Sequence, residues 1–439
     1  MYPRALKPQI EIEIVDLSHD GRGVGRLDGK AVFVSGALPG ERVRAERIGR
    51  KRSFDEARTL EVLHPSADRV APECPHFGYC GGCALQHLAP EAQIIAKQKV
   101  LAENFERIGH VQCESWLQPL TADRWHYRRK ARLGVKYVRK KERVLVGFRE
   151  SADPRFIADL GECRVLVREV GERIEPLARM IEQLDAREKI PQIEVAAADQ
   201  QTVLVFRHLE PLNSADRERL SQFGQQHGFA IWLQPGGVDS VHPLHKGGAA
   251  LGFSLLDYDL NIEFQPLDFV QVNGSMNQKM IALALDLLQL APQHRVLDLF
   301  CGLGNFTLPL ARRVARVVGV EGEAGLVQRA RDNAARNGID NAEFHVADLS
   351  KPLAGVDWLR GDYDRLLLDP PRTGADGIIV QLPLQQIERI VYVSCHPGSL
   401  ARDAGILLRD HGFRLKQAGV MDMFPHTAHV ESIAVFERG

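Results

Sequence analysis

The sequence predicts a multidomain chain of α/β and all-β class: a small N-terminal β-barrel, a central α+β region, and a C-terminal doubly wound, Rossmann-like α/β domain. Three observations carry this. Residues 10–64 are short alternating apolar runs split by glycine-rich turns, three cysteines crowd into residues 74–83, and from Phe264 onward strands alternate with helices. At roughly 100–200 residues per domain, the 439 residues divide as 1–68, 69–264 and 265–439. The opening MYPRALKPQI has no apolar signal core, and no run of about 18 apolar residues is present. The expectation is a cytoplasmic protein with no membrane partner. Seven cysteines, odd and sparse, argue against a secreted disulfide framework. The formal net charge of −1 conceals a split: Arg124–Arg149 holds eleven Lys/Arg against one acid, whereas Pro266–Gly439 holds eighteen against twenty.

In the first domain Ile10, Ile12 and Ile14 alternate with Glu11 and Glu13, and runs at 31–34, 43–48 and 60–63 complete a five-stranded barrel. Glu41–Arg52 carries six basic residues and two acidic ones, which suits either a solvated strand face or a nucleic-acid platform. The cluster Cys74-x5-Cys80-x2-Cys83 follows, with Gly78, Gly81 and Gly82 giving the loop room to wrap a metal. Four thiolates would make a complete set, and Cys113 and Cys163 compete for the fourth place; zinc suits such a set chemically. Beyond an amphipathic helix near 90–107, the basic run Arg124-Trp125-His126-Tyr127-Arg128-Arg129-Lys130-Ala131-Arg132, continued by Lys136, Arg139, Lys140, Lys141 and Arg143, interleaves charge for phosphates with the rings of Trp125, Tyr127 and Tyr137 for unpaired bases.

In the third domain the apolar strand 296–299 runs through Phe300 into the glycine-rich turn Cys301-Gly302-Leu303-Gly304-Asn305 and opens a helix. Glycines there let backbone approach a ligand at the carboxyl edge of a parallel sheet. Glu321 ends the next strand, where a carboxylate can hold both ribose hydroxyls, and Asp348 follows the one after, placed for an adenine amino group. That order resembles a class I S-adenosyl-L-methionine methyltransferase. Asp369, in Leu368-Asp369-Pro370-Pro371-Arg372, is aimed by a rigid Pro-Pro exit. Adenine amino-methyltransferases carry an aromatic residue where Arg372 stands, which argues against attack on an exocyclic amine. Strand 390–393 delivers Cys395. Uracil C5 is too weak a nucleophile to displace a methyl group from a sulfonium, and thiolate addition at C6 makes it enolate-like. A base must then remove the C5 proton. Glu431 is the candidate and His429 the alternate.

With these residues in view, Phe269-Val270-Gln271-Val272-Asn273, Asp298–Phe306, Asp369–Arg372, Ser394-Cys395-His396-Pro397 and His429-Val430-Glu431 together resemble the RNA uracil-C5 methyltransferases. The resemblance implies that Gln271, Phe300, Asn305, Glu321, Asp348 and Asp369 contact S-adenosyl-L-methionine, that Cys395 is the nucleophile, and that Glu431 is the base. It implies a [4Fe-4S] cluster on Cys74, Cys80, Cys83 and Cys163, structural or RNA-binding in role, in the central domain. Leu17–Arg47 looks like a TRAM (OB-like) barrel, through Gly21-Arg22-Gly23-Val24-Gly25 and 32–41. Barrel and cysteine cluster together resemble the family's 23S rRNA branch, implying 23S rRNA as partner; with no sequence sign of an obligate interface, the expectation is a monomer. The alternatives are a tRNA substrate and a non-catalytic iron–sulfur RNA-binding protein. Intact Cys395, Glu431 and Asp369 argue against the latter.

Overall fold

The computed structural model describes residues 8–247, 250–353 and 355–439. These fall into two compact units, one of Met1–Val100, Arg149–Phe156 and Phe424–His429, the other of Leu101–Phe148, Ile157–Met423 and Val430–Gly439. Among the described residues no helix is long and apolar enough to cross a membrane.

The first unit holds a closed barrel of β1 (Gln9–Leu17), β2 (Gly23–Leu27), β3 (Lys30–Ser35), β4 (Arg42–Arg50) and β5 (Phe54–His64), in the order β1-β2-β3-β5-β4. The alternation read in the sequence is the cause: Ile12, Ile14, Val32, Val34, Val43, Ala45 and Ala57 point inward and form one core. The basic run of β4 is largely spent on neighbours, Arg42 and Arg44 on Glu11 (3.0 and 3.4 Å) and Arg47 on Asp55 (3.1 Å). These three arginines are thus paired with acids on adjoining strands. At the barrel's connecting loop Glu41, 1% exposed, accepts from Leu38 N (2.8 Å) and Ser66 N (3.3 Å) and is gripped by both nitrogens of the Arg69 fork. Helix α1 (Pro90–Asn104) follows, and its Gln93 ties back to the unit's returning segment, accepting from His426 N at 3.0 Å.

In the second unit β6 (Ser115–Trp116) precedes a six-stranded sheet. That sheet contains β7 (Lys130–Val138), β8 (Arg143–Gly147), β9 (Gln192–Ala197), β10 (Thr202–Arg207), β11 (Phe229–Gln234) and β12 (His242–Pro243), in the order β12-β11-β10-β9-β7-β8. Helices α2 (Arg168–Gly171) and α3 (Ile174–Glu182) come between β8 and β9, and α4 (Ser214–His227) makes the crossover between the parallel pair β10 and β11. A hairpin, β13 (Leu251–Leu255) and β14 (Leu260–Phe264), leads into α5 (Gly274–Leu287).

The last sheet alternates strand and helix. It comprises β15 (Arg295–Leu299), α6 (Thr307–Ala311), β16 (Arg316–Glu321), α7 (Ala324–Arg336), β17 (Ala342–Val346), β18 (Arg365–Leu368), α8 (Asp376–Ile379), β19 (Arg389–Ser394), α9 (Pro397–His411), β20 (Phe413–Met421) and β21 (Glu431–Arg438). The order is β17-β16-β15-β18-β19-β21-β20-β6, the first five strands parallel and β21 antiparallel to both neighbours. Val296, Leu297 and Leu299 are 0% exposed, each contributing about 1.5–3 kcal/mol of burial. Strands buried on both faces read as continuous apolar runs because helices cover each side. Gly319 in β16 fits that packing closely, since a methyl group there would lie 3.0 Å from Cys301 Sγ and from the Phe344 ring. Chain order reverses between β15 and β18, and open α/β sheets take ligands at the carboxyl ends of the strands flanking such a point.

The Glu41 clamp gives a pH test. Burial pushes its carboxyl up, but the Arg69 guanidinium and the two N–H donors outweigh this and hold it below its ordinary value of 4.5. A carboxyl lowered by folding stabilises fully above about pH 4.5 and loses that contribution as acid titrates the folded form. Glu41→Ala is expected to destabilise the barrel by about 3 kcal/mol. Glu41→Gln should flatten the acid dependence of Leu38 amide exchange, and an unchanged acid limb would refute the clamp.

Candidate active site

Three buried strands end at the rim beside the chain reversal, and each delivers part of the site. After β15 the backbone turns sharply: Phe300 has φ +65°, Gly302 +55° and Gly304 +88°. A left-handed conformation is free for glycine but costs a bulky residue on the order of 1–3 kcal/mol. Phe300 N donates to Val320 O at 2.8 Å and Cys301 N to the same oxygen at 3.1 Å, fastening the turn to β16. Glu321, last residue of β16, accepts from Gly302 N (3.2 Å) and Glu323 N (3.0 Å). Turn and carboxylate therefore form one cradle. Asn305 exchanges reciprocal amide bonds of 2.9 Å with the buried Asn277 of α5. Asp348, exposed beyond β17, is held by Lys351 (2.8 Å) and by Ser350 Oγ (2.6 Å), which lower its carboxyl to about 2.

Gln271 lies in the loop before α5, and its carbonyl accepts from Arg129 Nε at 2.8 Å. Arg129 N also donates to Val272 O at 2.9 Å, so the basic segment and the Gln271 loop are laced together.

Two acids in this region are unusual. Asp298, 0% exposed, accepts from Thr307 Oγ1 at 2.5 Å through Oδ2, while Oδ1 has no hydrogen-bond partner. Burial, with the Glu321 charge adding, raises it to about 7. Asp369, just past β18, is pushed well above the carboxylate range by burial, then by Glu431 and Asp298. Asp298 stood in the motif without a role, although a carboxylate inside an apolar strand was a readable signal.

The pairing of β19 with β21 assembles the rest. Ser394 is the Cα partner of Ser432, so Cys395, one step on, and Glu431, one step back, emerge beside each other. Cys395 is half-buried and Glu431 8% exposed. Burial first, then the charges of Glu431 and Asp369, raise the thiol to about 11 against the opposing charge of Arg372. His396 caps α9, its Nδ1 accepting from Ser399 N at 3.1 Å, and Pro397 follows at the first turn. His429 belongs to the other compact unit, its ring edge-on to Phe424 at 4.7 Å.

Of the basic run's rings, Tyr127 is buried (6% exposed) and Tyr137 is covered by the Arg187 guanidinium at 5.2 Å. The expected stacking on both does not fit this arrangement. Arg132 and Lys136 on β7, and Lys140 and Lys141 beyond it, are exposed.

The Cys-rich loop is tightly folded: Phe77 N donates to Cys74 O (3.1 Å), Cys80 N to His76 O (2.9 Å) and Gly82 N to Cys80 Sγ (3.4 Å). Cys74, Cys80 and Cys83 are half-buried in the first unit, and Cys163 is buried in the second. Thiols with N–H donors at sulfur suit iron or zinc chemically. Among the described residues no group of three or more His, Cys, Asp or Glu is arranged to hold a metal ion. Cys113 Sγ instead donates to Ser115 O at 2.9 Å.

Comparison with known proteins is consistent with this geometry. The profile of the family described as tRNA (Uracil-5-)-methyltransferase matches residues 90–438, and that of the TRAM domain residues 9–46. The chain is 61% identical over 431 residues to a Stenotrophomonas maltophilia protein named 23S rRNA (uracil(1939)-C(5))-methyltransferase RlmD, covering 98% of this chain and 97% of that one. It is 60% identical over 428 residues to a Xanthomonas oryzae pv. oryzae protein of the same name, covering 97% and 96%. The crystal structure of Pyrococcus abyssi tRNA (uracil-54, C5)-methyltransferase with S-adenosyl-L-homocysteine superposes with a TM-score of 0.74 at 25% identity, covering 97% of this chain and all of that one.

The crowding of acids around Cys395 predicts a slow, weakly ionised thiol in the ligand-free protein. Mass-mapped alkylation of Cys395 should rise only toward pH 11. Glu431→Gln removes a nearby negative charge and should move that profile to lower pH. A profile unmoved by Glu431→Gln would show that the carboxylate does not act on the sulfur.

Proposed function

Because the chain belongs to the tRNA (uracil-5-)-methyltransferase family, we propose that it methylates C5 of a uridine in 23S rRNA, using S-adenosyl-L-methionine, in the cytoplasm and as a monomer. The observation that carries the chemistry is the juxtaposition of Cys395 and Glu431 across the Ser394–Ser432 pair. The substrate rests on the two relatives named for 23S rRNA and on the TRAM match at residues 9–46 of this chain.

The donor supplies a methyl group on a sulfonium. Glu321, the glycine turn, Phe300, Asn305, Gln271, Asp348 and Asp369 are proposed to hold it, the carboxylates meeting hydroxyl and amino donors and the turn admitting backbone contact. Cys395 Sγ gives up its proton to solvent and adds to uracil C6, and the C5–C6 double-bond electrons move into an enolate over C5, C4 and O4. C5, now enolate-like, attacks the methyl carbon, and the electrons of the broken S–CH3 bond stay on the donor sulfur, which leaves as a neutral thioether. Glu431 removes the C5 proton, the electrons of that bond form the C5–C6 double bond, and Sγ leaves. The high ligand-free thiol value fits this sequence: a cationic sulfonium brought near Asp369 offsets the negative charge that disfavours thiolate. The target base must leave its stack to reach a thiol set among strand ends.

We also propose that Cys74, Cys80, Cys83 and Cys163 bind a [4Fe-4S] cluster, structural or RNA-binding in role. The support is the chemistry of the four thiols and the N–H donor at Cys80 Sγ.

5-Fluorouracil-containing 23S fragment with S-adenosyl-L-methionine should form a covalent adduct, because fluorine cannot leave as a proton. Cys395→Ala should abolish it, and an adduct surviving that substitution would eliminate Cys395 as nucleophile. Glu431→Gln should lower turnover by about 10²–10⁴ while leaving adduct formation intact. Running tRNA transcripts alongside separates the two substrates. For the cluster, anaerobic protein should contain iron and labile sulfide that Cys163→Ser loses and Cys113→Ser keeps. Equal retention in both would exclude Cys163.

A further inference from the structure

We propose that the cavity of about 480 Å³ at the start of α5 is a phosphate-binding site, separate from the residues assigned to the methyl donor. Arg129, Ser254, Gly274, Ser275, Gln278 and Lys279 are among its lining residues. The first turn of this 14-residue helix presents backbone N–H groups at the positive end of the helix dipole, the standard setting for an oxyanion.

The second observation is independent of the helix. Arg129 is 8% exposed, and its Nη2 has no hydrogen-bond partner. Nε is committed to Gln271 O at 2.8 Å, and the guanidinium lies 4.4 Å from the centre of the Phe253 ring. Nη1 reaches the helix start, within 3.4 Å of where a side chain on Gly274 would begin. A guanidinium anchored by one nitrogen, backed by an aromatic face and turned toward a helix N-terminus has its remaining edge free for a planar bidentate acceptor. Burial lowers Arg129 to about 10, still protonated at neutral pH.

Charge on the cavity wall narrows the ligand. Asp199 faces Arg129 and accepts from Ser254 N at 2.7 Å, Asp257 also lines the wall, and Asp123 accepts from Ser275 Oγ at 3.4 Å. Lys279, four residues beyond Ser275, donates to Thr121 O at 2.7 Å and adds positive charge. Such a balance favours a singly charged phosphodiester over a dianion. The diester source is the RNA backbone, and that part alone rests on the RNA reading above; free inorganic phosphate shares the same chemistry.

The test uses the intact protein. Inorganic phosphate titrated into ¹⁵N-labelled enzyme should shift the Gly274 and Ser275 amides saturably, and Ser275→Asp should abolish the shifts. An aspartate in a helix first turn is compatible with folding and places its own carboxylate in the site. With 23S fragment, Ser275→Asp should weaken binding about tenfold at 50 mM salt, and Arg129→Gln should reduce the slope of log K against log salt by about 1. Amide shifts without any change in RNA binding would support the site and assign it to free phosphate. No amide shifts together with unchanged RNA affinity in Ser275→Asp would overturn the proposal. Because the phosphate titration contains no RNA, its failure is distinguishable from a wrong RNA assignment.

Discussion

The register of two antiparallel strands governs this molecule's chemistry. Ser394 of β19 opposes Ser432 of β21. Because side chains alternate across a sheet, a slip of one residue would send the thiol and the carboxylate to opposite faces. That register is held by burial on both sides: Ile390, Val391 and Tyr392 in one strand and Ala434, Val435 and Phe436 in the other are fully buried. Tyr392 adds a hydrogen bond from its hydroxyl to Asp403 at 2.6 Å, locking the strand to α9. The apolar packing thus sets the site's geometry indirectly, by allowing only one alignment of these two polar groups.

The same rim gathers negative charge. Asp298, Glu321, Asp369 and Glu431 stand at or near strand ends, and burial favours the neutral forms of Asp298 and Asp369. Asp298 near 7 and Asp369 well above its ordinary range show that the ligand-free site cannot hold every charge at once. A cationic ligand relieves this repulsion, so the acids that raise the thiol's value also favour a sulfonium over its neutral product. Phe300 complements them by holding a disfavoured φ of +65° at the turn where backbone must approach a ligand.

Local pattern carried much of this into the sequence. The alternation in β1, the glycine turn after β15, and the strands ending at Asp369 and Cys395 were readable because each is a short-range consequence of burial on one or two faces. Long-range pairing was not readable. Nothing in Ser115–Trp116 announces an edge strand of the last sheet, and nothing in Lys130–Val138 shows that β7 inserts between β8 and β9. In the barrel the charge count left two readings open, and only the fold shows that Glu11 and Glu61 pair with arginines on adjoining strands. Composition also concealed Arg129, which reads as one more surface cation and is in fact buried against Phe253.

The pairing of β6 with β20 orders the protein's synthesis. Ser115 Oγ donates to Lys416 O across 301 positions, and at roughly 5–20 residues per second the earlier partner waits about 15–60 s for the later one. β21 comes later still, yet it occupies the interior slot between β19 and β20. A growing chain therefore holds an incomplete sheet with unpaired strand edges and no Glu431 beside Cys395 until its closing strand is available. The interval before β21 docks is when these edges are open to aggregation or to a chaperone.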